Sequence, residues 1–578
     1  MQKLIVRRST DTNPLAGSGL SPLLQRIFAA RGVQGPDELD TGLKGLLPYH
    51  ALKDIDRAVA VIGDTLMRGE RILIVGDYDC DGATSSALAV LGLRAMGAGW
   101  VDFLVPDRFA YGYGLSPEIV AVAARCEPQL LITVDNGVSS VEGVAAARAA
   151  GMRVVVTDHH LAGSQLPKAD ALVNPNQPGC EFPAKSTCGV GVIFYVLSAL
   201  RRWLEQQGWF ARQGIPLPNL ADWLDLVALG TVADVVSLEQ NNRRLVEQGL
   251  RRIRAGRARP GMLALLDVAG RKPEQLVASD LGFAIGPRLN AAGRLDDMSI
   301  GIRCLLTDDP AEARALAAEL DRFNQDRKLI EQSMQVQALE LLKQLDLGRD
   351  GEPPAGVCLY EPDWHEGVIG ILASRIKDRL HRPVIAFARA ENGQLKGSAR
   401  SIPGLHIRDA LDAVAARYPG LLTKFGGHAM AAGLTLDHDG FTAFQHAFCD
   451  EAARSLSATQ LQARIDTDGE LSPQELTMEV ARELRFAGPW GQHFPEPLFD
   501  GEFELVQQRI VGQRHLKLVL AAAGGYCVDA IAFNVDLELW PSEAPRARVV
   551  YKLDINEFRG NQSLQLLVDY LEPLPVKS

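Results

Sequence analysis

The sequence predicts an α/β protein built from a parallel-sheet domain, a long helix, a second α/β domain and a C-terminal β-barrel. Between about residues 70 and 175, five short apolar runs alternate with alanine-rich helical runs. Such alternation is typical of a parallel sheet with helices on both faces. An amphipathic run follows at 310–346, and strand-like runs recur after residue 465. The length of 578 residues agrees with several domains, at roughly 150 residues each.

Acidic side chains follow three of the five predicted strands. These strands are ILIVG (72–76), VDFLVP (101–106), LLITV (130–134), VVVT (154–157) and ALVNP (171–175). Asp77 follows the first strand, Asp135 the third and Asp158 the fourth. Because ligands of open α/β sheets bind at the carboxyl ends of the strands, we expect these three acids to converge on one edge of one sheet.

The segment from about 180 to 300 is predicted to be mainly helical, with one helical run over 221–238. It includes a basic stretch that agrees equally with a solvated helix face and with a path for DNA. The cations of this stretch are Arg243, Arg244, Arg251, Arg252, Arg254, Arg257 and Arg259. The sequence leaves these two interpretations open.

The run 310–346 predicts one long helix. Asp309 is its expected N-cap, Pro310 takes the first helical position and Glu312 completes a capping box. At 1.5 Å per residue such a helix reaches roughly 55 Å, which is long enough to bridge two domains. The segment GRDGEPPAG (348–356) breaks the pattern and is predicted to be a linker.

The last 220 residues or so predict a second α/β domain and a small barrel. Strands are expected near GVCLY (356–360) and VIAFA (384–388) in the α/β domain. The barrel strands are expected at HLKLVL (515–520), CVDAIAF (527–533), RVVYKLDI (548–555) and SLQLLVDY (563–570). Several short strands in about 110 residues favour a barrel of the OB type, a common platform for single nucleic-acid strands.

The composition excludes some classes of protein. The net charge of −11 argues against a protein that coats DNA indiscriminately, so any strand would bind through a local basic groove or through metal ions. Eight cysteines without a CxxC pair agree with free thiols in a reducing compartment. The N-terminus lacks the apolar run of a signal peptide, and the longest apolar stretch, 189–200, is too short to span a bilayer. We therefore expect a soluble, cytoplasmic chain.

The segment GDYDCDG (76–82) predicts a metal site. Asp77, Asp79 and Asp81 are two residues apart, so on an extended backbone their side chains share one face. Crowded carboxylates repel one another unless a cation neutralises them, which favours a hard divalent metal. An EF-hand calcium loop is excluded because its twelfth position holds Leu88 rather than glutamate, and because a strand rather than a helix precedes it.

Two further motifs and one buried acid strengthen the metal hypothesis. TVDNG supplies Asp135, and TDHH supplies Asp158, His159 and His160. Mixed carboxylate and imidazole ligands suit Mn²⁺ or Mg²⁺ better than a thiolate-bound metal. Asp234 lies in the apolar run LGTVADVV, where by itself it would be interpreted as a helix cap or as a partner of a nearby arginine.

The order of these motifs resembles that of the DHH phosphoesterase superfamily. GDYDCDG, VDNG, TDHH and the aspartate of GTVADVV are similar to its four acidic motifs. GSARS (397–401) and GGHAMAAG (426–433) resemble the associated DHHA1 domain. GPRLNAAGR, DWHEGVIGILASR and the ending YKLDINEFRGNQSLQLL are similar to members that degrade single-stranded DNA. The resemblance covers nearly the whole chain.

The resemblance implies five segments. They are an N-terminal extension (1–48), a DHH catalytic domain (49–304), a bridging helix (305–347), a DHHA1 domain (348–458) and an OB-like domain (459–578).

The resemblance also implies two divalent cations, Mn²⁺ or Mg²⁺, and a role for each acidic motif. The ligands of one ion would be Asp77, Asp79 and Asp135. The ligands of the other would be Asp81, Asp135, His159 and Asp234, with Asp135 bridging the two. Asp158 would orient the histidines, and His160 would face the scissile phosphate. Cys80, often alanine in the superfamily, is given no chemistry.

The activity implied by the resemblance is metal-dependent 5′→3′ hydrolysis of single-stranded DNA to mononucleotides, in recombination and repair. Phosphates near the 5′ end would be held by Arg108, Arg288, Ser398, Arg400 and His428. A single-strand-binding protein and a RecQ-type helicase are implied as partners. Strand selectivity would come from a groove between two domains that excludes a duplex.

Two alternatives stay open at this point. Another DHH phosphoesterase would act on short RNA, cyclic dinucleotides or polyphosphate, although the long helix and the barrel favour a polymeric substrate. A non-catalytic DNA-binding scaffold of the same descent would be expected to have lost acidic ligands, yet every expected position is filled.

Overall fold

A computed structural model describes residues 3–9, 12–106, 114–343, 353–390, 392–537 and 539–574. The chain forms two compact units. One comprises Met1–Arg7 and Gln325–Thr467, and the other comprises Arg8–Asn324 and Asp468–Ser578. Among the described residues, no helix has both the length and the apolar character needed to cross a bilayer.

The strands and helices are numbered in chain order. The strands are β1 (Leu4–Arg7), β2 (Ile72–Val75), β3 (Val101–Leu104), β4 (Leu130–Val134), β5 (Arg153–Thr157), β6 (Ala171–Val173), β7 (Val357–Tyr360), β8 (Val384–Arg389), β9 (Leu395–Arg400), β10 (Lys424–Gly427), β11 (Ala431–Leu436), β12 (Arg464–Thr467), β13 (Phe499–Val511), β14 (His515–Ala521), β15 (Cys527–Ala532), β16 (Arg546–Phe558) and β17 (Asn561–Leu574). The α-helices are α1 (Pro22–Ala29), α2 (Ile55–Met67), α3 (Cys80–Ala95), α4 (Pro117–Ala123), α5 (Val141–Ala149), α6 (Gly189–Gln206), α7 (Trp209–Gln213), α8 (Leu224–Ala233), α9 (Gln240–Arg254), α10 (Pro260–Val268), α11 (Ala278–Asp280), α12 (Gly286–Leu295), α13 (Ser299–Leu306), α14 (Pro310–Lys343), α15 (Ile369–Leu380), α16 (Ile407–Arg417), α17 (Phe441–Ser455) and α18 (Met478–Phe486).

The first sheet confirms the predicted parallel arrangement. Its strand order is β3-β2-β4-β5-β6, and every neighbouring pair is parallel. Alternate side chains of β2 enter different cores, because successive side chains of a strand point to opposite faces. Ile72 and Ile74 pack with the α3 side, whereas Leu73 and Val75 pack with the α5 side. All five predicted strands are present.

The second α/β sheet and the barrel are also present. The sheet of the other unit has the order β10-β11-β9-β8-β7, and only its β7–β8 pair is parallel. Strands β13-β14-β15-β17-β16 form a closed barrel, which confirms the OB-type prediction. The sequence analysis missed β13 because its second half is largely exposed and lacks a clear alternation.

The helical prediction over 221–238 is wrong in its extent. A 3₁₀ turn covers Leu220–Trp223, helix α8 covers Leu224–Ala233, and α9 begins only at Gln240. The apolar run continues beyond α8, but Val235 has a φ of 60°, a conformation that ends a helix. Helix α8 therefore stops next to Asp234.

The long helix α14 begins as predicted but is capped differently. The Asp309 carboxylate accepts the backbone N–H of Ala311 at 2.8 Å, which agrees with its role as N-cap. The expected capping box is wrong, because Glu312 contacts the Thr307 hydroxyl instead. That hydroxyl already accepts the N–H of Asp309 at 3.1 Å, so this backbone donor is not left for Glu312.

The arginines at the start of α9 are structural rather than solvated. Arg243 and Arg244 are buried, and their guanidinium groups donate hydrogen bonds to backbone carbonyls. The carbonyls belong to Leu238, Glu38, Asp40 and Gly45. Since three of them lie near the N-terminus, these cations hold the segment around residues 38–45 against helix α9, and neither interpretation of the basic stretch applies to them.

A buried ion pair joins the N-terminal segment to the barrel end of the same unit. The guanidinium of Arg31 donates two hydrogen bonds to the Asp468 carboxylate at 2.8 and 3.0 Å, and both side chains are only 1% exposed. The Arg31 guanidinium also lies 5.2 Å from the ring centroid of Trp490. Removing one partner would leave a buried charge without compensation.

We expect Asp468→Asn to lower the free energy of unfolding by about 3 kcal/mol, the cost of breaking a buried pair. The measurement is the urea midpoint of unfolding. Asp466→Asn is the matched control, because its pair with Arg464 is exposed and should contribute less than about 1 kcal/mol. Equal destabilisation by both substitutions would contradict the structural role of the buried pair.

Candidate metal centre

The carboxyl ends of three adjacent parallel strands bring the predicted acids together. Asp77 follows β2, Asp135 follows β4 and Asp158 follows β5. Three sets of side chains have ligand atoms within 4.8 Å of one another. The sets are Asp77, Asp79 and Asp135; Asp81, His159 and Asp234; and Asp135, His159 and His160. These sets contain seven of the eight candidate residues, and the eighth, Asp158, contacts His160.

The DYDCD segment is not an extended strand, so the expectation that its acids share one face for that reason is wrong. Helix α3 begins at Cys80, and Asp79 is its N-cap, accepting the N–H of Gly82 at 3.0 Å. Asp81 lies in the first turn of this helix. The backbone thus changes direction between the acids, and the turn rather than the strand period brings them near the same point.

Asp81 is anchored by the N-terminus of α6. Its two carboxylate oxygens accept the N–H groups of Gly189 at 2.6 Å and Val190 at 3.0 Å. Burial and the nearby Asp79 charge nevertheless raise the pKa of the Asp81 carboxyl to about 7. Position 189 requires glycine, because a Cβ there would lie 2.5 Å from the Asp135 Cβ. The sequence analysis missed this helix end, and the glycines of CGVGV were its only signal.

Asp135 occupies a left-handed turn at the end of β4, with a φ of 60°. The next side chain, Asn136, holds the turn by donating hydrogen bonds to the carbonyls of Val75 and Val134 at 3.0 and 2.9 Å. Asp135 is almost fully buried. Burial, followed by the charge of Asp81, raises the pKa of the Asp135 carboxyl well above its usual range.

Asp158 orients the two histidines that follow it. Its Oδ1 accepts the backbone N–H groups of His159 at 2.7 Å and His160 at 3.1 Å. The same oxygen lies 2.8 Å from His160 Nδ1, while Oδ2 accepts the N–H of Val138 at 2.8 Å. Burial lowers the pKa of His160, but the bond to Asp158 outweighs it and raises the pKa to about 9.

Asp234 completes the cluster from the C-terminal end of α8. Its Oδ2 lies 3.6 Å from His159 Nε2, and that nitrogen lies 3.1 Å from Asp135 Oδ1. Burial, then the charges of Asp81 and Asp79, raise the pKa of the Asp234 carboxyl. The buried Oδ2 accepts no hydrogen bond from any residue in the described ranges.

The donor set fits divalent cations. Buried carboxylates whose pKa values are raised by burial and by one another are stabilised in their charged form by a nearby cation. Oxygen donors with one imidazole are typical of Mn²⁺ and Mg²⁺ sites. The residues present therefore agree with the predicted metal ligands.

Helix α12, which contains most of the motif GPRLNAAGR, packs against the backbone of the GDYDCDG segment. Asn290 accepts the backbone N–H of Cys80 at 2.8 Å. A Cβ at Gly293 would lie 1.9 Å from the carbonyl oxygen of Tyr78, so only glycine fits this approach. The sequence analysis recognised the motif but not this role. Burial raises the pKa of the Cys80 thiol, which agrees with its having no assigned chemistry.

Of the five predicted phosphate contacts, Arg108 and Arg288 come first in the sequence. Arg108 lies outside the described residues. Arg288 lies in the unit that carries the acidic cluster, and its guanidinium donates to the Asp321 carboxylate at 2.9 Å and to the Ala284 carbonyl at 2.6 Å. Arg288 thus has protein partners in this structure.

The other three predicted contacts lie together in the second unit. Ser398 and Arg400 share one face of β9, and the Arg400 guanidinium donates to the Ser398 hydroxyl at 3.1 Å. Strand β11 pairs with β9 so that Ala431 lies opposite Arg400. The turn that contains His428 leads into β11, and its exposed histidine therefore lies near the same end of the sheet.

Gly370, in the first turn of α15, completes this group. A Cβ at Gly370 would lie 2.8 Å from Arg400 Nη2 and 2.9 Å from the Ser398 hydroxyl oxygen. Burial lowers the pKa of the Arg400 guanidinium, and no carboxylate of the described chain lies within ion-pair distance of it. A cation, a hydroxyl and a helix N-terminus are typical of anion sites.

Comparison with known proteins agrees with these features. Residues 71–231 match the DHH family, N-terminal domain, residues 354–454 match the DHHA1 domain, and residues 467–570 match the RecJ OB domain. The chain is 56% identical over 570 residues to the single-stranded-DNA-specific exonuclease RecJ of Escherichia coli (strain K12), an alignment that covers 98% of this chain and 99% of that protein.

Two solved structures of RecJ from Thermus thermophilus share the fold. The complex with Mn²⁺ has a TM-score of 0.80 at 32% identity, covering 99% of this chain and 80% of that one. The complex with Mg²⁺ has a TM-score of 0.73 at 30% identity, covering 99% and 78%. The resemblance that the acidic motifs indicate is confirmed. The chain belongs to the RecJ family of single-stranded-DNA-specific exonucleases.

Proposed function

We propose that this protein is a metal-dependent exonuclease that degrades single-stranded DNA in the 5′→3′ direction to mononucleotides, in recombination and repair. The observation that carries the proposal is the acidic cluster at the ends of β2, β4 and β5, in a chain that also has an OB-type barrel. Relatives named single-stranded-DNA-specific exonucleases support the substrate.

The residues around the sheet edge have distinct roles in this proposal. Asp77, Asp79 and Asp135 would hold one Mn²⁺ or Mg²⁺ ion, and Asp81, Asp135, His159 and Asp234 would hold a second. When bound, such ions lower the pKa of water and offset the charge of a phosphodiester. Asp158 keeps the His160 ring oriented through Nδ1, so that its opposite edge can face the phosphate.

The 5′→3′ direction is proposed on the basis of the family resemblance. The anion site around Arg400 is a candidate for binding a terminal phosphate of the strand. Ser398, Arg400 and His428 would hold this phosphate together with the first turn of α15. Arg108 and Arg288 are kept as further contacts, the latter after exchange of its Asp321 partner.

The remaining expectations from the sequence are proposals of the same kind. The segment boundaries at 48, 304, 347 and 458 are kept as proposed domain limits. Free thiols at all eight cysteines support a reducing, cytoplasmic location. A single-strand-binding protein and a RecQ-type helicase are proposed partners on the basis of the family alone.

The central test is incubation of the protein with Mn²⁺ and single-stranded DNA labelled at the 5′ end. Early release of labelled mononucleotide is the expected result. Label that stays on a progressively shorter strand would contradict the direction, and turnover of dinucleotides or pyrophosphate alone would favour another DHH phosphoesterase.

We expect Asp135→Asn to lower the rate of hydrolysis by at least about 100-fold, because a residue shared by both proposed ions is lost. The same change should raise the melting temperature of the metal-free protein, because it removes one of several repelling buried charges. Differential scanning fluorimetry with and without Mn²⁺ should show that the rise in Tm on metal addition shrinks to less than about half.

Asp102→Asn is the matched control for this experiment. Asp102 lies on β3 of the same sheet but is exposed, so its substitution should leave the hydrolysis rate and the Mn²⁺-dependent rise in Tm unchanged. An Asp135→Asn protein that keeps the full metal-induced stabilisation would refute the bridging role.

We expect Arg400→Lys to raise KM for a 5′-phosphorylated strand by about tenfold, since a point charge replaces a fork that matches phosphate. For a strand with a 5′-hydroxyl, KM should change by less than about twofold. Steady-state kinetics on the two strands measure the difference, with Arg389→Lys, an exposed arginine of the adjacent β8, as control. An equal effect on both strands would argue against a terminal-phosphate site.

A further inference from the structure

An exposed aromatic side chain lies on a turn that packs against the residues preceding Asp234. Phe283 is 86% exposed, the highest value among the large apolar residues that the structure describes. It lies in a π-helical turn, Leu281–Ile285, between α11 and α12. π-Helical turns occur frequently at functional sites. An aromatic ring held in water at such a turn is a candidate for contact with a ligand.

Close packing fixes this turn against α8. A Cβ at Gly282 would lie 3.2 Å from Val232 Cγ1, and a Cβ at Gly286 would lie 3.2 Å from the Ala233 Cβ. Val232 and Ala233 directly precede Asp234, whose carboxylate belongs to the acidic cluster. The turn therefore presents the Phe283 ring beside the chain segment that supplies a proposed metal ligand.

The Phe283 ring lines an apolar cavity of about 340 Å³. The residues on both sides of Asp234 also line it, and Val235 there is 63% exposed. Phe486, which is 45% exposed, is a second aromatic ring in the same lining. A volume above about 300 Å³ with an apolar wall is sufficient for a small planar ligand.

A second cavity of about 640 Å³ continues from the first toward the barrel. The two cavities share Phe283, Val277, Ser279, Arg485, Glu496 and Lys552. The second cavity is also lined by β16 residues from Lys552 to Ile555. Together they form a trench, within one unit, from the neighbours of Asp234 to the edge of the OB-type barrel.

Most of the charged side chains of the trench form ion pairs with one another. Lys552 lies 2.5 Å from Glu496, Arg485 lies 3.8 Å from Asp554, and Arg271 lies 3.2 Å from Asp280. These pairs attract phosphates weakly, whereas Arg254 and Arg559 form no ion pair with an acid of the trench. Apolar and aromatic surface dominates next to Asp234, and the faces of nucleobases stack on such surface with little dependence on sequence.

We propose that Phe283 is a stacking platform for one base of the single-stranded substrate, where the strand leaves the metal cluster along this trench. The inference deepens the proposed function and rests on it, because it requires a phosphodiester at the cluster. A base that stacks on Phe283 is unpaired, so the platform also contributes to the preference for single strands.

The test combines substitutions at Phe283 with a set of 5′-labelled oligonucleotides, each with one abasic site at a different position from the 5′ end. The enzymes are the wild type, Phe283→Ala, Phe283→Trp and Tyr418→Ala. Tyr418 is a matched control, because it is an exposed aromatic residue that lines neither cavity. Initial rates give kcat and KM for each combination.

With the intact strand, Phe283→Ala should raise KM about tenfold, as expected for the loss of one stacked base, while kcat stays within about twofold. One abasic position should raise the KM of the wild type by a similar factor. At that position the Phe283→Ala enzyme should show no further rise, because the same contact is already lost. Phe283→Trp and Tyr418→Ala should behave as the wild type.

Two results would overturn the inference while leaving the proposed function intact. One is an unchanged KM of Phe283→Ala on the intact strand. The other is a rise in KM that is the same at every abasic position, which would indicate a general effect or an apolar protein ligand in the trench. Failure of the wild type to degrade the intact strand would instead contradict the proposed function.

Discussion

Mutual repulsion among buried carboxylates is the constraint on which this structure depends. Asp81, Asp135 and Asp234 lie at one sheet edge, and burial together with their neighbours raises the pKa of each carboxyl. A fold can keep such a cluster only if backbone donors hold the acids and a cation offsets their charge. The N-termini of α3 and α6 supply such donors to Asp79 and Asp81.

Hydrogen bonds from distant parts of the chain hold the acidic segments in place. The N-terminus of α6 binds Asp81, the Val138 amide binds Asp158, and Asn290 of α12 binds the backbone at Cys80. None of these contacts is with a metal, yet each fixes a residue that would otherwise rotate away. The positions of the acids at the sheet edge therefore depend on contacts between residues up to 210 positions apart in sequence.

The fold was largely predictable because its signals are local. Apolar runs of strand length located β2 to β6, and the acids directly after them identified the sheet edge. The features that the sequence analysis did not predict depend on tertiary contacts. The extended interpretation of Asp79 and Asp81 failed because Asp79 starts a helix, and α8 stops at Ala233 because Val235 adopts a positive φ. The partners of Arg243 are backbone carbonyls, which no side-chain pattern reveals.

Several arginines of this acidic chain have structural roles. Many arginines that could attract DNA are used inside the protein, as at Arg31 and Arg244, where they bind a carboxylate and carbonyls. Four cations of the trench, Lys552, Arg485, Arg271 and Lys272, are paired with acids of the same trench. A strand must then be held by few charged contacts, by metal ions and by stacking. Because stacking contacts accept any base, this arrangement suits an enzyme that degrades strands of any sequence.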